Sequence, residues 1–263
     1  TFANAGGLNL PGGMVFVQSN PTGSLTFTPE PDQHGTTTIT VTVEDAGLNG
    51  RFGTGVFDEA VNYNTGQVGR DMAMADVNAD GKLDAVVTGD SGDTVAVLLG
   101  GDNGSFAAPV TYAAGTTPYS VVVADFNKDG DLDIATANNS SGDVSVLLGN
   151  GDGTFGSPTN FAVGPQLTSI AIGDLNQDGH LDLVLTNTVQ NTEENLSVLT
   201  GLGDGTFSSP TFHPIGLNSR PEGVLVSDVN LDGNLDIITA NTGFPGGNDS
   251  LGVLLGNGNG TFA

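Results

Sequence analysis

The stretch Asp125-Phe126-Asn127-Lys128-Asp129-Gly130-Asp131-Leu132-Asp133 decides the fold. Carboxylate or amide oxygens occupy its alternate positions, and a glycine stands sixth. The pattern Asp-x-Asn-x-Asp-Gly-x-Leu-Asp starts at residues 76, 125, 174 and 228, so the four copies begin 49, 49 and 54 residues apart. A repeat of this length is typical of proteins built from one recurring supersecondary unit.

Each repeat predicts four short strands, because runs of four to six apolar residues alternate with turns rich in glycine. In the second repeat the strands are expected near 120–124, 132–136, 144–148 and 158–161, and the nine-residue loop joins the first two. A turn ending in phenylalanine, Gly153-Thr154-Phe155, precedes the fourth strand. Four antiparallel strands in about 50 residues form one blade of a β-propeller. We therefore predict an all-β chain of propeller-type blades, with the phenylalanine filling the gap between neighbouring blades.

The oxygens of the loop favour a hard cation, and calcium takes six to eight oxygen ligands. We expect loop positions 1, 3, 5 and 9 to supply side chains and position 7 its backbone carbonyl, since position 7 is too variable to offer a side-chain ligand. An EF-hand is excluded because position 12 is never glutamate and the flanks are strands. The predicted side-chain ligands are Asp76, Asn78, Asp80, Asp84, Asp125, Asn127, Asp129, Asp133, Asp174, Asn176, Asp178, Asp182, Asp228, Asn230, Asp232 and Asp236, and the predicted carbonyl ligands are Lys82, Asp131, His180 and Asn234.

The loops together with turns such as Gly-Asp-Gly-Thr-Phe-x-Ser-Pro resemble FG-GAP/VCBS repeats, the blades of the integrin α-subunit head and of bacterial secreted propellers. The resemblance covers residues 50–263 and implies a propeller and calcium. From the four loops we expect four Ca²⁺ ions, one per loop, with a structural role. We place the repeats at about 50–115, 116–164, 165–216 and 217–263, within a domain of residues 47–263.

Residues 1–46 form a separate segment that resembles part of a cadherin-like or Ig-like module. Strands are predicted at 14–17, 24–28 and 36–43, the last because threonine alternates with isoleucine or valine. Three strands are fewer than a sandwich of about seven needs. We therefore expect a partial, β-sandwich-like segment that packs on a neighbour or borrows strands.

The fourth repeat lacks a sequence for its last strand, and residues 53–63 resemble a glycine turn followed by a fourth strand. Three arrangements stay open. Residues 53–63 complete the last blade and close a four-bladed ring, the chain is an arc of a larger ring, or it associates head to tail with another copy through exposed strand edges.

Composition limits the partners and the compartment. The chain of 263 residues has 30 Asp and Glu against 5 Lys and Arg, a net charge of −25, which disfavours nucleic acid and anionic membranes. It has no cysteine and no apolar run near the ~20 residues of a membrane span. Because it begins at Thr1, we expect a processed product or part of a longer protein, secreted or displayed on a bacterial cell surface.

No catalytic motif surrounds the three histidines, so we predict that the chain is not an enzyme. We expect a role in adhesion or extracellular assembly, with a protein or glycan surface ligand. Two alternatives remain at this stage: a carbohydrate-binding or accessory module of a polysaccharide-degrading enzyme, and a subunit of an extracellular filament completed by strand exchange. The absence of tryptophan and the presence of only three tyrosines argue against an aromatic sugar platform.

Overall fold

The computed structural model describes the backbone of five strands within residues 1–59, and both backbone and side chains of residues 60–89, 92–189, 195–215, 220–243 and 249–263. Contacts divide the chain into two units, Thr1–Val61 and Asn62–Ala263. The predicted domain boundary after residue 46 stays a prediction. In the described residues no helix has the length and apolar character that crossing a membrane requires.

The N-terminal unit contains one antiparallel sheet whose five strands pair in chain order. The predicted strands at 14–17 and 24–28 are present, and the third is described over three residues only; Thr28, Thr36 and residues 40–43 lie outside the described residues. Two earlier strands were not predicted, because with two and four residues they are too short to show a strand pattern. The strands are β1 (Phe2–Ala3), β2 (Gly7–Leu10), β3 (Met14–Ser19), β4 (Thr22–Phe27) and β5 (Thr37–Ile39).

The second unit contains four antiparallel sheets, each formed from one sequence repeat, and this confirms the all-β, blade-like fold. Blades 1 to 3 have four strands and blade 4 has three in the described residues. Blade 1 is β6 (Gly69–Ala75), β7 (Asp84–Gly89), β8 (Thr94–Leu98) and β9 (Val110–Ala113); blade 2 is β10 (Pro118–Ala124), β11 (Asp133–Asn138), β12 (Asp143–Leu147) and β13 (Thr159–Ala162); blade 3 is β14 (Leu167–Gly173), β15 (Asp182–Asn187), β16 (Leu196–Leu199) and β17 (Thr211–His213); blade 4 is β18 (Ser219–Ser227), β19 (Asp236–Gly243) and β20 (Ser250–Leu254).

The first strand of every blade begins two to four residues earlier than the apolar pattern predicts. The pairing register shifts within this added part, between Gly69 and Met72 in blade 1 and between Pro118 and Ser120 in blade 2. A bulge interrupts the alternation of side chains between the two faces. The extra residues therefore pair in the sheet although their sequence does not look like a strand.

The core lies between successive blades. One apolar cluster joins Val86 and Val97 of blade 1 to Val121, Ile134 and Leu147 of blade 2, and equivalent clusters join blade 2 to blade 3 and blade 3 to blade 4. All six residues of β11 are buried, as expected for a strand covered on both faces. Each blade is therefore stabilised chiefly by its neighbours.

The phenylalanines in the glycine turns of blades 2, 3 and 4 pack in the gaps between blades, as predicted, whereas Phe106 packs on its own blade. Phe155 and Phe207 are each 7% exposed and belong to the clusters with the preceding blade. An isolated backbone bridge pairs the turn phenylalanine with the glycine that follows the third strand in every blade, as in Gly149 with Phe155. This bridge fixes the turn beside the nine-residue loop of the same blade.

Candidate metal centre

Each nine-residue loop connects the first and second strands of its blade, and its sixth residue reverses the chain. The four glycines at this position have φ between 83° and 96°, a region that only glycine enters without strain. The fourth position also has positive φ, although Ala79, Lys128, Gln177 and Leu231 are not glycines. The sequence pattern does not reveal this second left-handed residue, because position 4 carries a different side chain in every copy.

The side chains at positions 1, 3 and 5 are held by the backbone of the loop itself. In loop 1, the N–H of Gly81 donates to Asp76 Oδ2 at 2.8 Å, and the N–H of Lys82 donates to Asp80 Oδ1 at 2.9 Å. The N–H of Asp80 donates to both Asp76 Oδ1 and Asn78 Oδ1 at 3.1 Å. The two oxygens share one donor and are therefore neighbours. Three of the predicted ligands thus come together on one loop.

The same contacts recur in the other loops. The position-6 glycine N–H donates to the position-1 carboxylate at 3.0, 2.8 and 2.9 Å in loops 2, 3 and 4. The position-5 N–H donates to the asparagine Oδ1 at 3.0, 2.9 and 2.9 Å. Because position 7 differs in every copy while these bonds do not, the loop conformation is set by the alternate Asp and Asn residues and the glycine.

One carboxylate oxygen in loop 2 has no hydrogen-bond partner although it is buried. Asp125 Oδ1 receives no N–H, whereas the position-1 Oδ1 atoms of the other three loops accept one from position 5. A buried carboxylate oxygen without a donor is costly unless a cation compensates it. The donor set of loop 2 therefore fits a hard cation such as calcium, which would coordinate this oxygen.

Position 9 has a different environment from the other predicted ligands. Asp133 is the first residue of β11 and has no exposed surface; its Oδ2 accepts the N–H of Phe126 at 2.8 Å, and its Oδ1 accepts the N–H of Gly149 at 2.8 Å. Asp84, Asp182 and Asp236 accept the equivalent pairs of N–H groups at 2.6 to 3.0 Å. This aspartate therefore connects the loop, the second strand and the glycine turn of one blade; we call it the clasp residue.

The sequence pattern could not reveal the clasp at position 9. The recurring spacing of acids predicts metal ligands, but the second N–H donor to Asp133 belongs to Gly149, 16 residues later and across the hairpin. The available signal was the apolar neighbourhood, since an acid between Leu132 and Ile134 at the start of a buried strand needs donors of its own. The role of position 9 as a calcium ligand remains a prediction; each clasp oxygen retains one lone pair for such a role.

The pKa values of the loop acids separate into two groups. Burial raises the pKa of Asp133 and of Asp182; the N–H donors oppose this, and the charges of the loop acids add to it. In contrast, the backbone N–H groups of His180 and Asn234 lower the pKa of Asp178 and of Asp232, both at position 5. The position-5 carboxylates of loops 3 and 4 are therefore charged at neutral pH, as calcium ligands need to be.

The acids alone do not make a compact site. No group of three or more acidic or histidine side chains in the described part of the chain is clustered closely enough to bind a metal. The clasp carboxylate accepts N–H groups of the loop and of the glycine turn, whereas the carboxylates at positions 1 and 5 take no part in the clasp. Because calcium takes six to eight oxygen ligands, a site in this loop would need ligands beyond these two carboxylates, such as the asparagine oxygen, the position-7 carbonyl and water.

The position-7 side chains contact the glycine turn of their own blade, which agrees with a backbone rather than a side-chain role in the loop. Lys82 Nζ lies 3.1 Å from Asp102 Oδ1. In the other blades a glycine replaces Asp102, and a Cβ at Gly151 or Gly203 would lie within 2.3 Å of the Asp131 carboxylate or the His180 ring. Aspartate at this turn position is thus compatible with lysine at position 7.

The loops also contact the next blade. Gln177 Nε2 donates to Gly233 O at 3.2 Å and to Asn234 Oδ1 at 3.0 Å in the following loop. The glycine turns donate backwards, from the N–H of Gly205 to Phe126 O at 3.2 Å and from the N–H of Gly260 to Leu175 O at 3.1 Å. Each loop therefore lies at a junction between two blades.

The repeats match the model of the FG-GAP-like repeat over residues 76–136, 125–185 and 174–239, more than half of the chain. The chain belongs to the FG-GAP-like repeat family. Residues 2–52 match a bacterial Ig domain, so this FG-GAP repeat protein carries an Ig-like segment before its blades, as expected. Curated proteins contain no match.

Several solved structures resemble parts of this FG-GAP repeat protein at low sequence identity. An Agrocybe aegerita lectin, described as recognising non-reducing terminal N-acetylglucosamine, is 22% identical with a TM-score of 0.48, over 95% of this chain and 61% of the lectin. An exo-beta-1,3-galactanase from Clostridium thermocellum is 13% identical with a TM-score of 0.47, over 72% and 47%. The V. cholerae biofilm matrix protein Bap1 is 16% identical with a TM-score of 0.40, over 74% and 39%. The chain thus spans less than two thirds of each.

Replacing Gly149 by alanine should destabilise blade 2. A Cβ at Gly149 would lie 2.2 Å from Leu132 O, so the turn must move away from the clasp residue. We expect a loss of about 1–3 kcal/mol in the free energy of unfolding, the usual cost of overpacking. Gly156→Ala is the matched control, because its Cβ would meet nothing closer than 3.6 Å. Urea titration of both variants checks this; equal midpoints would contradict the close approach.

The raised pKa of Asp133 predicts how stability depends on pH in the metal-free protein. A folded-state pKa above the ordinary 3.8 means that the folded chain holds the proton more tightly. This contribution to stability is fully present below the unfolded pKa and is lost as pH rises through the folded pKa. In EDTA, Asp133→Asn should lose less free energy of unfolding than the unmodified chain as pH rises above the ordinary aspartate pKa of 3.8. Identical slopes in denaturant titrations would refute the prediction.

Proposed function

We propose that this chain is a calcium-stabilised FG-GAP repeat module, secreted or displayed on a cell surface, that acts in adhesion or extracellular assembly. The single observation that supports it most directly is Asp125 Oδ1, a buried carboxylate oxygen with no protein donor in a loop whose other oxygens are oriented by backbone N–H groups. The four-fold repetition of the loop extends the proposal to four calcium sites.

Calcium would be structural in this role. The loop acids at positions 1 and 5 belong to a chain of net charge −25, and four divalent ions would offset 8 of those charges. Bringing carboxylates together without a cation raises the electrostatic free energy of the folded state. We propose that each ion fixes the connection between the first two strands of a blade, and that binding is as weak as in other extracellular modules, with a Kd of about 10⁻⁴–10⁻³ M.

Isothermal titration with calcium tests the number of sites. We expect four sites in the unmodified chain and three after Asp125→Asn with Asp129→Asn, which removes the charges at positions 1 and 5 of loop 2 only. The control carries Asp152→Asn with Asp204→Asn, which removes the same charge from two exposed glycine turns, and it should keep four. Failure to bind calcium, or loss of a site in the control instead, would contradict the proposal.

Adhesion is tested separately by coating beads with the chain and measuring retention on immobilised extracellular proteins and polysaccharides. We expect calcium-dependent retention that EDTA abolishes and that the Asp152/Asp204 control keeps. The same polysaccharides should remain intact, since we propose no catalytic role. Release of reducing sugar from any polymer would favour an accessory role in polysaccharide degradation over adhesion.

A further inference from the structure

The side chain at position 4 of a loop extends to the following loop at two successive junctions between blades. Gln177 of loop 3 donates its Nε2 to Gly233 O at 3.2 Å and to Asn234 Oδ1 at 3.0 Å in loop 4. Lys128 of loop 2 places its Nζ beside loop 3, 3.5 Å from the position that a Cβ on Gly179 would occupy. In both cases position 4 of one loop reaches the glycine at position 6 of the next.

The three loops that precede another loop differ in the charge of this side chain. Ala79 has no atom beyond Cβ, Lys128 carries an ammonium group, and Gln177 carries a neutral amide. The backbone φ of the three residues lies between 55° and 61°, so the side chains leave their loops from the same conformation. The junctions therefore share a backbone geometry, while only loop 3 receives a positive charge from the loop before it.

The ammonium group of Lys128 lies close enough to act on the carboxylates of loop 3. The backbone N–H of His180 contributes most to lowering the pKa of Asp178, and the charge of Lys128 lowers this pKa further. The pKa of Asp232, at the same position of loop 4, is lowered by hydrogen bonds alone, first of all by the N–H of Asn234. The electrostatic environments of loops 3 and 4 thus differ by the charge of one lysine.

A positive charge beside a loop of carboxylates has two effects on calcium binding. In the metal-free loop it reduces the repulsion between the carboxylates, which stabilises the empty state. In the occupied loop it repels the divalent ion. Both effects weaken the binding of calcium to that loop, and both require the charge rather than the hydrogen bonds of the side chain.

We propose that Lys128 is a counter-charge for loop 3 and makes loop 3 a weaker calcium site than loop 4. This inference rests on the calcium role proposed above for the loops. The affinity of a loop for calcium is then set in part by position 4 of the loop before it, so the repeated sites fill at different calcium concentrations although their ligand patterns are the same.

Nuclear magnetic resonance of the whole chain can follow each site separately. The N–H of the position-6 glycine donates to the position-1 carboxylate of its own loop, so its amide signal reports the occupancy of that loop. A calcium titration at pH 8, where an unperturbed histidine is neutral, should give a higher midpoint for Gly179 than for Gly233. Lys128→Gln should lower the Gly179 midpoint by about three- to tenfold and leave that of Gly233 unchanged.

Arg70→Gln is the matched control for the loss of one positive charge. Arg70 is exposed and lies on β6, where its guanidinium is 3.6 Å from the centre of the Tyr119 ring. This variant should leave the Gly179 midpoint where it is in the unmodified chain. A decrease of the Gly179 midpoint as large as that of Lys128→Gln would mean that net charge alone sets the affinity, and would overturn the inference.

The reciprocal variant introduces the charge at the next junction. Gln177→Lys should raise the Gly233 midpoint by about three- to tenfold, whereas Gln177→Met, which loses the same amide hydrogen bonds without adding a charge, should not. The effects of both lysines should shrink as sodium chloride is raised from about 0.05 to 0.5 M, because salt screens exposed charges. Equal midpoints in Gln177→Lys and Gln177→Met would contradict a role for the charge.

The same titrations distinguish this inference from the proposed function. If the glycine signals respond to calcium but the Gly179 midpoint is the same with and without Lys128, the inference alone is wrong and the calcium role stands. If none of the loop glycines responds, both are wrong. Melting in EDTA adds a measurement that needs no calcium: Lys128→Gln should lower the melting temperature there and lose this deficit in saturating calcium, and an equal deficit in both conditions would refute the counter-charge.

Discussion

Asp133→Ala should lower the melting temperature of the chain even when no calcium is present. The substitution removes the acceptor of two N–H groups, those of Phe126 and Gly149, at a residue without exposed surface. An unpaired buried donor costs about 1–3 kcal/mol, so the loss of both should cost about 2–6 kcal/mol. For a unit of this size each kcal/mol lowers the melting temperature by roughly 2–4 °C. Differential scanning calorimetry in EDTA measures the effect.

The matched control is Asp102→Ala, which removes an aspartate from the surface of the neighbouring blade 1. Its carboxylate is 85% exposed and has an ion pair with Lys82, so its loss should change the free energy of unfolding by less than about 1 kcal/mol. If Asp133→Ala destabilised the protein only in the presence of calcium, the clasp interpretation would be wrong and position 9 would act as a metal ligand alone.

Removal of calcium should have a comparably large effect on the unmodified chain. For a Kd of about 10⁻⁴–10⁻³ M, a concentration of about 10 mM stabilises the folded state by ~1.4–2.7 kcal/mol per site. Four sites would contribute ~6–11 kcal/mol if they bind independently. We therefore expect chelation to lower the melting temperature by tens of degrees, and to increase cleavage by chymotrypsin in the same samples.

General screening must be separated from specific binding, because a chain of net charge −25 is stabilised by any salt. Sodium chloride at matched ionic strength measures that contribution, and magnesium tests selectivity, since magnesium requires strict octahedral geometry and gives up its waters reluctantly. A melting temperature that is the same in excess EDTA and in calcium would exclude a structural role for the ion.

The blades could be predicted from the sequence because the same loop and the same glycine turn occur four times. Four copies of the loop and of the glycine turn fix the strand between them to within a few residues, and one face of each strand is already apolar. The clasp was not accessible in this way, because Asp133 and Gly149 are joined only by the pairing of β11 with β12. Hydrogen bonds across a hairpin depend on register, which the spacing of acids does not specify.

The left-handed backbone conformation at position 4 of the loop could not be predicted from the sequence either. The positive φ of Lys128 follows from the N–H groups that the flanking Asp and Asn side chains orient, and no property of lysine indicates it. In the N-terminal unit, Phe2–Ala3 and Gly7–Leu10 pair as strands although neither is long enough to display alternation. Short strands of this kind are specified by the sheet they join more than by their own sequence.

The backward hydrogen bonds from Gly205 to Phe126 O and from Gly260 to Leu175 O place loops 2 and 3 between two blades rather than within one. An ion bound there would change the free energy of the interface between neighbouring blades as well as the free energy of unfolding of its own blade. Stability along such an array approximates a one-dimensional lattice with nearest-neighbour terms. At high calcium the blades should melt in a single transition, and at low calcium the terminal blades should exchange their amide hydrogens first while the central pair remains protected.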